Sequence, residues 1–567
     1  MLKSWQVSNF KSIHNMDKPL EFAPLTIFCG ANSSGKSSLL QSILLFKQSM
    51  EKKEIRAPRM VLNGGLVQLG GMNDIITNGL NEEKDNIITC SFQIEESCLK
   101  FEDWLRIYHP RDFEKFINDF KMPYKYGYVF VNKLATSVKC CVSFGISTRE
   151  KYEHKTLSSI ENISLNLYPR FTSIIITDTL NDRELINCIY LDDQAEFPFV
   201  GGYMLQGEGA GFHALYRLRK ADIQKYLIGA DKKTNDFYKK NYMRLSNTLQ
   251  AFDCFLPKVV FDNKYHKESG ELYERDIDSI SDFFCKQLYY VGPLRADPKE
   301  NNDTTSQFKG VGYRGEYTSA CFALHASNDL FTYSNGDNLD FPCVFGKDAN
   351  PKDYDNKITG KLRDISEDKI NWYTTSDLVA FKHSLYEWIN YIGVAEEVDT
   401  NDRGELIIKQ GNGKWSSLKN VGIGVSQVLP IIIQCIIAPP DSTIIIEQPE
   451  LHLHPKMQSR LADFFLSMSL LGKQLIIETH SEYIIDKLRL RIVQAPLNVP
   501  INDKVAIYFA EKKDGYSEFR RIHLNEYSVM SEWPEGFFEE SMQTAREIMS
   551  AIRQKRREGG KDEEDDD

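Results

Sequence analysis

Eight residues near the start of the chain have the types and spacing of a phosphate-binding loop. Residues 30–37 read Gly-Ala-Asn-Ser-Ser-Gly-Lys-Ser and match the pattern G-x-x-x-x-G-K-[ST] in full. Glycines let the backbone curl so that successive N–H groups face phosphate oxygens, and the following helix adds a favourable field. Lys36 is then expected to meet the β- and γ-phosphates of a nucleotide, and the Ser37 hydroxyl to bind Mg²⁺. The predicted nucleotide-binding residues are Gly30, Ala31, Asn32, Ser33, Ser34, Gly35, Lys36, Ser37 and Ser38.

A second half of this site is predicted 411 positions beyond Lys36. The apolar run 443–446 ends in Glu447, and a Mg·ATP site needs such an acid at the end of a neighbouring strand. Glu447 is therefore the predicted partner of Ser37 in holding Mg²⁺. Simple P-loop enzymes place the two parts much closer, so both ends of this chain are expected to build one domain around a large insertion.

Four short apolar runs are predicted to form the strands that position these residues. They cover 25–29, 443–446, 475–477 and 505–509. Continuous apolar runs of this length are typical of parallel strands that are covered on both faces. Helices are predicted after the first three strands, over 37–49, 455–471 and 482–493. Strands that alternate with helices predict α/β architecture, with functional residues at the carboxyl ends of the strands.

The middle of the chain has a different pattern. Between 88 and 205 apolar and polar residues alternate in short pieces, which predicts a mostly antiparallel insertion. Leu215, Leu218 and Ile223 begin a series at helical spacing, which predicts helices over 213–256. The predicted plan has six parts. A head lobe with the P-loop (1–87) is followed by an insertion of strands and then helices (88–280) and by a segment that returns to the head (281–400). A second head lobe (401–530), a C-terminal helix (531–557) and a disordered acidic tail (558–567) complete the chain.

Composition and charge exclude several classes of protein. Hydrophobic residues make up 42% and aromatic residues 12% of the 567 residues, which excludes a wholly disordered chain. The formal net charge is −11, but the last seven residues contribute one lysine and six acids, so the charge says little about nucleic-acid binding. No apolar run reaches the roughly 20 residues of a membrane span, and the first residues lack the pattern of a signal peptide. Eleven scattered cysteines without a C-x-x-C pair favour reduced thiols, so a cytoplasmic protein without a membrane partner is expected.

Several segments resemble one group of ATPases. SNFKSI (8–13), GANSSGKSS (30–38), IIIEQPELHLHP (444–455) and IIETHSEYII (476–485) resemble the ABC-type ATPase heads of the SMC, RecF and OLD-like AAA group. YYVGPLRADP (289–298), VGYRGEYTSA (311–320) and SEWPEGFFEE (531–540) are similar, more narrowly, to the PtuA-like ATPases of Septu-type anti-phage defence. The resemblance implies an α/β fold, an ABC-type P-loop ATPase head assembled from both chain ends with a mixed β and helical insertion. It also implies ATP and Mg²⁺ as cofactors.

The resemblance further implies residues that act at the γ-phosphate. In these heads two subunits enclose ATP, and each supplies a signature loop to the nucleotide bound by the other. The matching residues are Gly422, Gly424 and Ser426, although Gly422 stands where the usual Leu-Ser-Gly-Gly pattern has serine. A glycine loop that only caps a helix is the alternative interpretation. His480 resembles the switch histidine that contacts the γ-phosphate.

The predicted hydrolytic residues depart from the family pattern. Many related heads read Asp-Glu-Pro-Glu where this chain has Glu-Gln-Pro-Glu over residues 447–450. Gln448 therefore occupies the position of the usual general base, and a neutral amide cannot accept a proton from water as a carboxylate does. We expect Gln448 to orient water, Glu450 to support it and His480 to act at the γ-phosphate. Slow hydrolysis of ATP is predicted.

The function implied by the resemblance is regulation of a partner nuclease in bacterial antiviral defence. The chain is expected to form a homodimer or a higher even oligomer, and an HNH-type nuclease is the expected effector, because no nuclease motif follows His480. Two alternatives stay open: a RecF-like clamp for DNA repair or recombination, and a nucleotide-binding scaffold without significant hydrolysis. Basic clusters such as 217–220 and 553–557 would meet DNA or RNA, although a solvated helix face is the simpler interpretation.

Overall fold

The computed structural model describes residues 1–51, 60–79, 86–96, 136–146, 170–179, 183–191, 202–207, 212–216, 249–253, 256–259, 278–295, 310–327, 331–332, 341–343, 371–373, 379–411, 413–439, 441–495 and 501–525. The strands in these residues are β1 (Leu2–Ser8), β2 (Leu20–Glu21), β3 (Leu25–Gly30), β4 (Asn86–Glu96), β5 (Thr136–Ile146), β6 (Arg170–Asp178), β7 (Arg183–Leu191), β8 (Gly202–Gly207), β9 (Phe212–Tyr216), β10 (Leu249–Asp253), β11 (Leu256–Val259), β12 (Leu288–Val291), β13 (Phe331–Thr332), β14 (Phe341–Cys343), β15 (Asn371–Tyr373), β16 (Val379–Ala380), β17 (Glu397–Thr400), β18 (Leu406–Gln410), β19 (Lys414–Ser417), β20 (Thr443–Glu447), β21 (Gln474–Glu478), β22 (Val505–Lys513) and β23 (Tyr516–Ile522).

The α-helices are α1 (Lys36–Glu51), α2 (Met72–Ile75), α3 (Thr318–Ser327), α4 (Phe381–Ile392), α5 (Ile423–Ile437), α6 (Pro455–Leu470) and α7 (Glu482–Gln494). Shorter helical turns are a π-helical turn at Phe283–Gln287 and 3₁₀ turns at Leu418–Asn420 and Ile501–Lys504. None of the helices in the described part of the chain is long and apolar enough to cross a membrane.

Six strands form the sheet that carries the predicted site. Their order across the sheet is β12-β20-β21-β3-β22-β23. Neighbouring strands run parallel except at the edge, where β23 runs antiparallel to β22. The four strands predicted from apolar runs are β3, β20, β21 and β22, which lie side by side. The three helices predicted to follow the strands are α1, α6 and α7, so this part of the prediction is confirmed.

Alternate residues of these strands enter hydrophobic cores on opposite faces of the sheet. Phe28 of β3 and Ile445 of β20 pack in the core that contains α1. Ile27 and Ile446, one position away on the same strands, pack in the core that contains α4 to α7. Successive side chains of a strand point to opposite faces. Because both faces are covered, the strands are mostly apolar, as their sequences predict.

A second sheet of eight strands shares the core with α1. Its order is β2-β1-β4-β5-β6-β7-β8-β9, and each pairing is antiparallel. The mostly antiparallel insertion predicted for 88–205 is thus confirmed for the described residues. β4 begins at Asn86 and pairs with β1, so the sheet of the insertion continues directly from the N-terminal lobe.

The prediction of helices over 213–256 is wrong where the structure describes that range. Leu215 lies in β9, which pairs antiparallel with β8, and β10 pairs antiparallel with β11. Pairing with neighbouring strands outweighs the helical spacing, because strand preference depends strongly on such neighbours. Leu218 and Ile223 lie outside the described residues, as do the predicted helix at 531–557 and the acidic tail at 558–567. The domain boundaries stay predictions.

The side chains of Trp5 and Gln474 attach β1 to α1 and to the parallel sheet. Trp5 stacks on Phe92 with ring centroids 5.2 Å apart, and its indole N–H donates to Ser42 Oγ of α1 at 2.9 Å. The side-chain amide of Gln474, in β21, accepts from the Leu2 N–H at 2.8 Å and donates to the Leu2 carbonyl at 2.7 Å. The amide thus makes the same two hydrogen bonds that a paired backbone residue would make. It holds β1 to the parallel sheet, in addition to the pairing of β1 within the eight-stranded sheet.

A buried charged network joins three helices on the other face of the parallel sheet. Asp463 of α6 accepts from Arg491 of α7, with Nε and Nη2 at 2.5 and 2.9 Å from its two oxygens. The Tyr391 hydroxyl of α4 donates to the same carboxylate at 2.6 Å, and Lys487 Nζ lies 3.8 Å away. The Asp463 side chain is 3% exposed, so its charge depends on these partners rather than on water.

Candidate nucleotide-binding site

The loop of residues 30–37 connects β3 to α1, as its sequence predicts. Gly30 has φ +134° and Gly35 has φ +103°, a region that residues with a side chain rarely adopt. A Cβ atom on Gly30 would lie 2.2 Å from the Ala510 carbonyl oxygen, and one on Gly35 would lie 2.1 Å from Ser517 Oγ. Strands β22 and β23 therefore press against the loop, and both glycines are needed for its path.

Lys36 begins α1 and folds back over the loop. Its ammonium group donates to the carbonyl oxygens of Gly30 and Ala31 at 3.0 and 2.7 Å, and to Ser34 Oγ at 3.3 Å. Burial lowers the pKa of Lys36, while the negative charge of Glu478 opposes that shift. The ammonium charge thus lies within the loop that is predicted to bind phosphate.

The Ser37 hydroxyl contacts Glu478, a residue that has no predicted role. Ser37 Oγ lies 2.9 and 3.0 Å from the two carboxylate oxygens of Glu478. Glu478 is the last residue of β21, which lies directly beside β3 in the sheet. Burial raises the pKa of Glu478, while the hydrogen bond from Ser37 and the charge of Lys36 act in the opposite direction.

Glu447, the predicted Mg²⁺ partner, ends β20, one strand further from the loop. It lies opposite Glu478 across the two strand ends. Its Oε1 accepts from the Tyr290 hydroxyl at 3.0 Å, and its backbone carbonyl accepts from Arg295 Nη2 at 2.7 Å. Burial, aided by the neighbouring Glu478, raises the pKa of Glu447 to about 7. Among the described hydrogen bonds, Ser37 is paired with Glu478 rather than with Glu447.

Glu450 and His480 meet beside the P-loop. The backbone N–H of His480 donates to Glu450 Oε1 at 2.6 Å, and the Thr479 hydroxyl donates to Glu450 Oε2 at 2.8 Å. Burial, together with the charge of Lys36, lowers the pKa of His480. Both oxygens of Glu450 are therefore engaged in positioning the segment that carries His480.

Gln448 lies at the same edge of the sheet in a strained backbone conformation. Its φ is +45°, and its N–H donates to the Glu478 carbonyl at 2.8 Å. A non-glycine residue in the left-handed region costs roughly 1–3 kcal/mol and persists where surrounding contacts hold it, often at functional sites. The structure thus places a neutral amide next to the carboxyl ends of β20 and β21.

The predicted signature loop opens α5 at the surface. Gly422 is the N-cap of the helix, and no side chain of the described residues caps it. Ile423 is 60% exposed, and Ser426 Oγ donates to its carbonyl at 2.9 Å. A Cβ atom on Gly424 would lie 2.6 Å from the His452 carbonyl, so Gly424 is required for close packing against the turn after β20.

Arg295 is a buried residue that the sequence motifs did not assign. Gln427 of α5 exchanges two hydrogen bonds with its backbone, at 3.2 and 2.8 Å. Burial lowers the pKa of Arg295 to about 10, and Glu450 opposes that shift. Among the described residues, its Nε and Nη1 atoms have no hydrogen-bond partner. Both unassigned residues could have been found from the sequence, because each is a charged residue beside an apolar strand. Glu478 ends such a strand, and Arg295 closely follows one.

The residues at this edge fit Mg²⁺ and a nucleotide. The Ser37 hydroxyl and the carboxylate of Glu478 beside it are hard oxygen ligands of the kind that Mg²⁺ takes. Lys36 and the N-terminus of α1 supply positive charge and N–H donors to phosphate. Gly30 and Gly35 give the loop a backbone path that residues with a side chain could not follow so close to β22 and β23.

Comparisons with known proteins give two family matches and several similar structures. The AAA ATPase domain family matches residues 1–485, and a protein family of unknown function (DUF3696) matches residues 501–548. The chain is similar to an SMC head bound to the C-winged helix domain of ScpA, at 11% identity and a TM-score of 0.33 over 92% of this chain and 98% of that one. It is also similar to the SMC head domain from Thermotoga maritima, at 10% identity and a TM-score of 0.30 over 92% and 98%.

A third similar structure is an SMC head domain with an extended coiled coil, bound to the C-terminal domain of ScpA, from Pyrococcus furiosus. It shows 11% identity and a TM-score of 0.32 over 97% of this chain and 99% of that one. No curated protein matches the chain.

A P-loop connects β3 to α1, and acidic residues end the next two strands across the sheet, β21 and β20. This arrangement defines a P-loop ATPase. The chain belongs to the AAA ATPase domain family, whose match covers most of its length. The predicted α/β P-loop ATPase fold, assembled from both chain ends around an insertion, is thereby confirmed. Membership of this family implies ATP with Mg²⁺ as the ligand; the narrower likeness to PtuA-like ATPases stays a prediction.

Proposed function

We propose that this chain binds Mg·ATP at residues 30–38 and hydrolyses it slowly. The observation that carries the proposal is the contact between Ser37 of the P-loop and Glu478 at the end of β21, because it joins the loop and the acidic strand ends in one site. Lys36 donates to the carbonyls of Gly30 and Ala31, so its positive charge lies within the loop that is expected to bind phosphate.

Several residues of the site then have separate tasks. The backbone N–H groups of the loop and Lys36 hold the β- and γ-phosphates. Glu450 positions His480 at the γ-phosphate. Mg²⁺, when bound, neutralises phosphate charge beside Ser37. Gln448 orients the attacking water but cannot accept its proton, which makes hydrolysis slow.

Turnover by the variant Gln448→Glu tests this mechanism. A carboxylate at this position should raise kcat by roughly 100-fold or more, because general bases contribute about 10²–10⁴-fold. Wild-type kcat should stay well below the enzyme median of about 10 s⁻¹. Lys36→Met should bind no nucleotide and controls for contaminating ATPases. A wild-type rate near that median would contradict slow hydrolysis, and an unchanged rate in Gln448→Glu would contradict the role given to Gln448.

The proposal includes dimerisation around the nucleotide. It is supported by the start of α5, where Gly422 caps the helix without a side-chain partner and Ile423 is exposed. The first N–H groups of such a helix are available to phosphate bound by another subunit. Native mass measurements should give a dimer or a higher even oligomer with ATP, and Lys36→Met should not respond to ATP. A wild-type monomer at saturating ATP would contradict this part of the proposal.

The biological role that we propose is regulation of an HNH-type nuclease during antiviral defence in the cytoplasm. The support is the sequence resemblance of 289–298, 311–320 and 531–540 to PtuA-like ATPases. The test is purification of the chain together with the products of neighbouring genes, with and without ATP. A nuclease that remains bound after a salt wash is the expected result. Bound DNA without any nuclease would favour the repair clamp instead.

A further inference from the structure

Two carboxylates of the site, those of Glu447 and Glu478, have no task in the mechanism above. Both oxygens of Glu478 lie within 3.0 Å of Ser37 Oγ. We infer that Glu478, and not Glu447, is the acidic ligand with which the protein holds Mg²⁺ beside Ser37. The inference rests on the proposed function, because it assigns a residue of the same nucleotide site.

The order of the strands supports this assignment. β21 lies directly beside β3, whereas β20 lies beyond β21. Adjacent strands are about 4.8 Å apart, so the end of β20 starts one strand spacing further from the P-loop. Glu478 already spans the distance to Ser37, the residue that binds the metal in P-loop ATPases.

Glu447 is held in the opposite direction across the sheet. Its Oε1 accepts from the hydroxyl of Tyr290, which belongs to β12, and β12 lies on the side of β20 that is away from β3. Arg295 fixes its backbone carbonyl at 2.7 Å. Ser37, by contrast, has its described side-chain contacts with Glu478.

The charges around Glu478 also favour a cation. The groups that face it are the Ser37 hydroxyl, the Lys36 ammonium and the carboxylates of Glu450 and Glu447. Phosphate binding would draw Lys36 to the nucleotide, which leaves three carboxylates close to one another. A hard divalent cation between Ser37 and Glu478 would offset that repulsion, since oxygen ligands are the ones that Mg²⁺ prefers.

The experiment measures nucleotide affinity with Mg²⁺ and with EDTA, using the fluorescent analogue mant-ADP. Wild type should bind more tightly with Mg²⁺. Glu478→Gln should lose this gain, a change of roughly tenfold or more, with affinity in EDTA unchanged. The matched variant Glu447→Gln should keep the gain. Electron paramagnetic resonance of Mn²⁺, substituted for Mg²⁺, should show free Mn²⁺ with Glu478→Gln and bound Mn²⁺ with Glu447→Gln.

Loss of the Mg²⁺ gain in Glu447→Gln, whether alone or together with Glu478→Gln, would overturn the inference. Retention of the gain in Glu478→Gln would overturn it as well. If Glu478→Gln does not fold, Glu478→Asp keeps the charge with a shorter reach and should show a reduced gain; an unchanged gain would count against the inference. A wild type that binds no nucleotide in either condition would instead refute the proposed function.

Discussion

Gln427 and Arg295 are joined by two hydrogen bonds, although they lie 132 positions apart in the chain. The Gln427 amide accepts from the Arg295 backbone N–H at 3.2 Å and donates to its carbonyl at 2.8 Å. The Arg295 guanidinium donates in turn to the Glu447 carbonyl at 2.7 Å. The helix that begins at the predicted signature loop is therefore linked, through one arginine, to the acidic end of β20.

Loss of the Gln427 amide should destabilise the fold. Gln427→Leu leaves the buried N–H and carbonyl of Arg295 without their partners, and each unsatisfied group costs about 1–3 kcal/mol. We expect the free energy of unfolding in urea to fall by ~2 kcal/mol or more. Gln410→Leu is the control, because Gln410 is exposed and its side-chain amide donates to the Val394 carbonyl at 3.2 Å. Equal effects of the two substitutions would contradict the importance of the link.

Removal of the Asp463 carboxylate should cost more than removal of a surface acid. Asp463→Ala leaves the buried guanidinium of Arg491 without its carboxylate partner, and loss of one partner of a buried pair costs about 3–5 kcal/mol. Asp486→Ala breaks an exposed pair with Arg489 and should cost less than ~1 kcal/mol. Thermal and urea unfolding of both variants measures the difference. A similar loss in the two proteins would show that the Asp463 network contributes no more than a surface ion pair.

Alanine at Gly30 should disrupt the P-loop, and alanine at Gly413 should not. Both glycines have positive φ, +134° and +71°, so both substitutions introduce backbone strain of about 1–2 kcal/mol. Only the Cβ of Gly30→Ala meets another atom, the Ala510 carbonyl oxygen at 2.2 Å; none lies within 4 Å at Gly413. Gly30→Ala should therefore lose mant-ADP binding, which Gly413→Ala should retain. Wild-type affinity in Gly30→Ala would contradict the close approach of β22 to the loop.

Lys473 should make stability depend on pH in the alkaline range. Its ammonium group donates to the carbonyls of Cys435 and Ile436 at the end of α5, and burial lowers the pKa of Lys473 to about 8. Between that value and 10.5 the unfolded chain binds more protons than the folded one, so the free energy of unfolding rises with pH.

The comparison that isolates this residue is wild type against Lys473→Met. The stability difference, wild type minus variant, should grow by up to ~2 kcal/mol between about pH 7.5 and about pH 9.5. Urea unfolding at several pH values measures it. A difference that stays constant or shrinks over this range would show that Lys473 is not desolvated as the structure places it.

Local sequence was sufficient for the strands of the site but not for its contacts. β3, β20, β21 and β22 were predictable because each contains a short, mostly apolar run, which is typical of a strand buried on both faces. Their order was not, since it depends on pairing between distant segments. Without that order, Glu447 was the expected partner of Ser37, whereas Glu478 lies on the nearer strand. Leu215 was assigned to a helix for the same reason, because its strand partner is invisible in local spacing.

The central place of β3 also has a consequence for synthesis of the protein. β3 pairs with β21 on one side and β22 on the other, and Ser12 beside the P-loop bonds with Ser517, 505 positions later. At about 5–20 residues per second, a ribosome needs roughly half a minute to a minute and a half to make the ~480 residues between β3 and its second neighbour. During that interval the nascent P-loop lacks first both flanking strands and then β22 alone, so its site is incomplete until β22 has been made. A chain that binds ATP is therefore one whose translation has already passed β22.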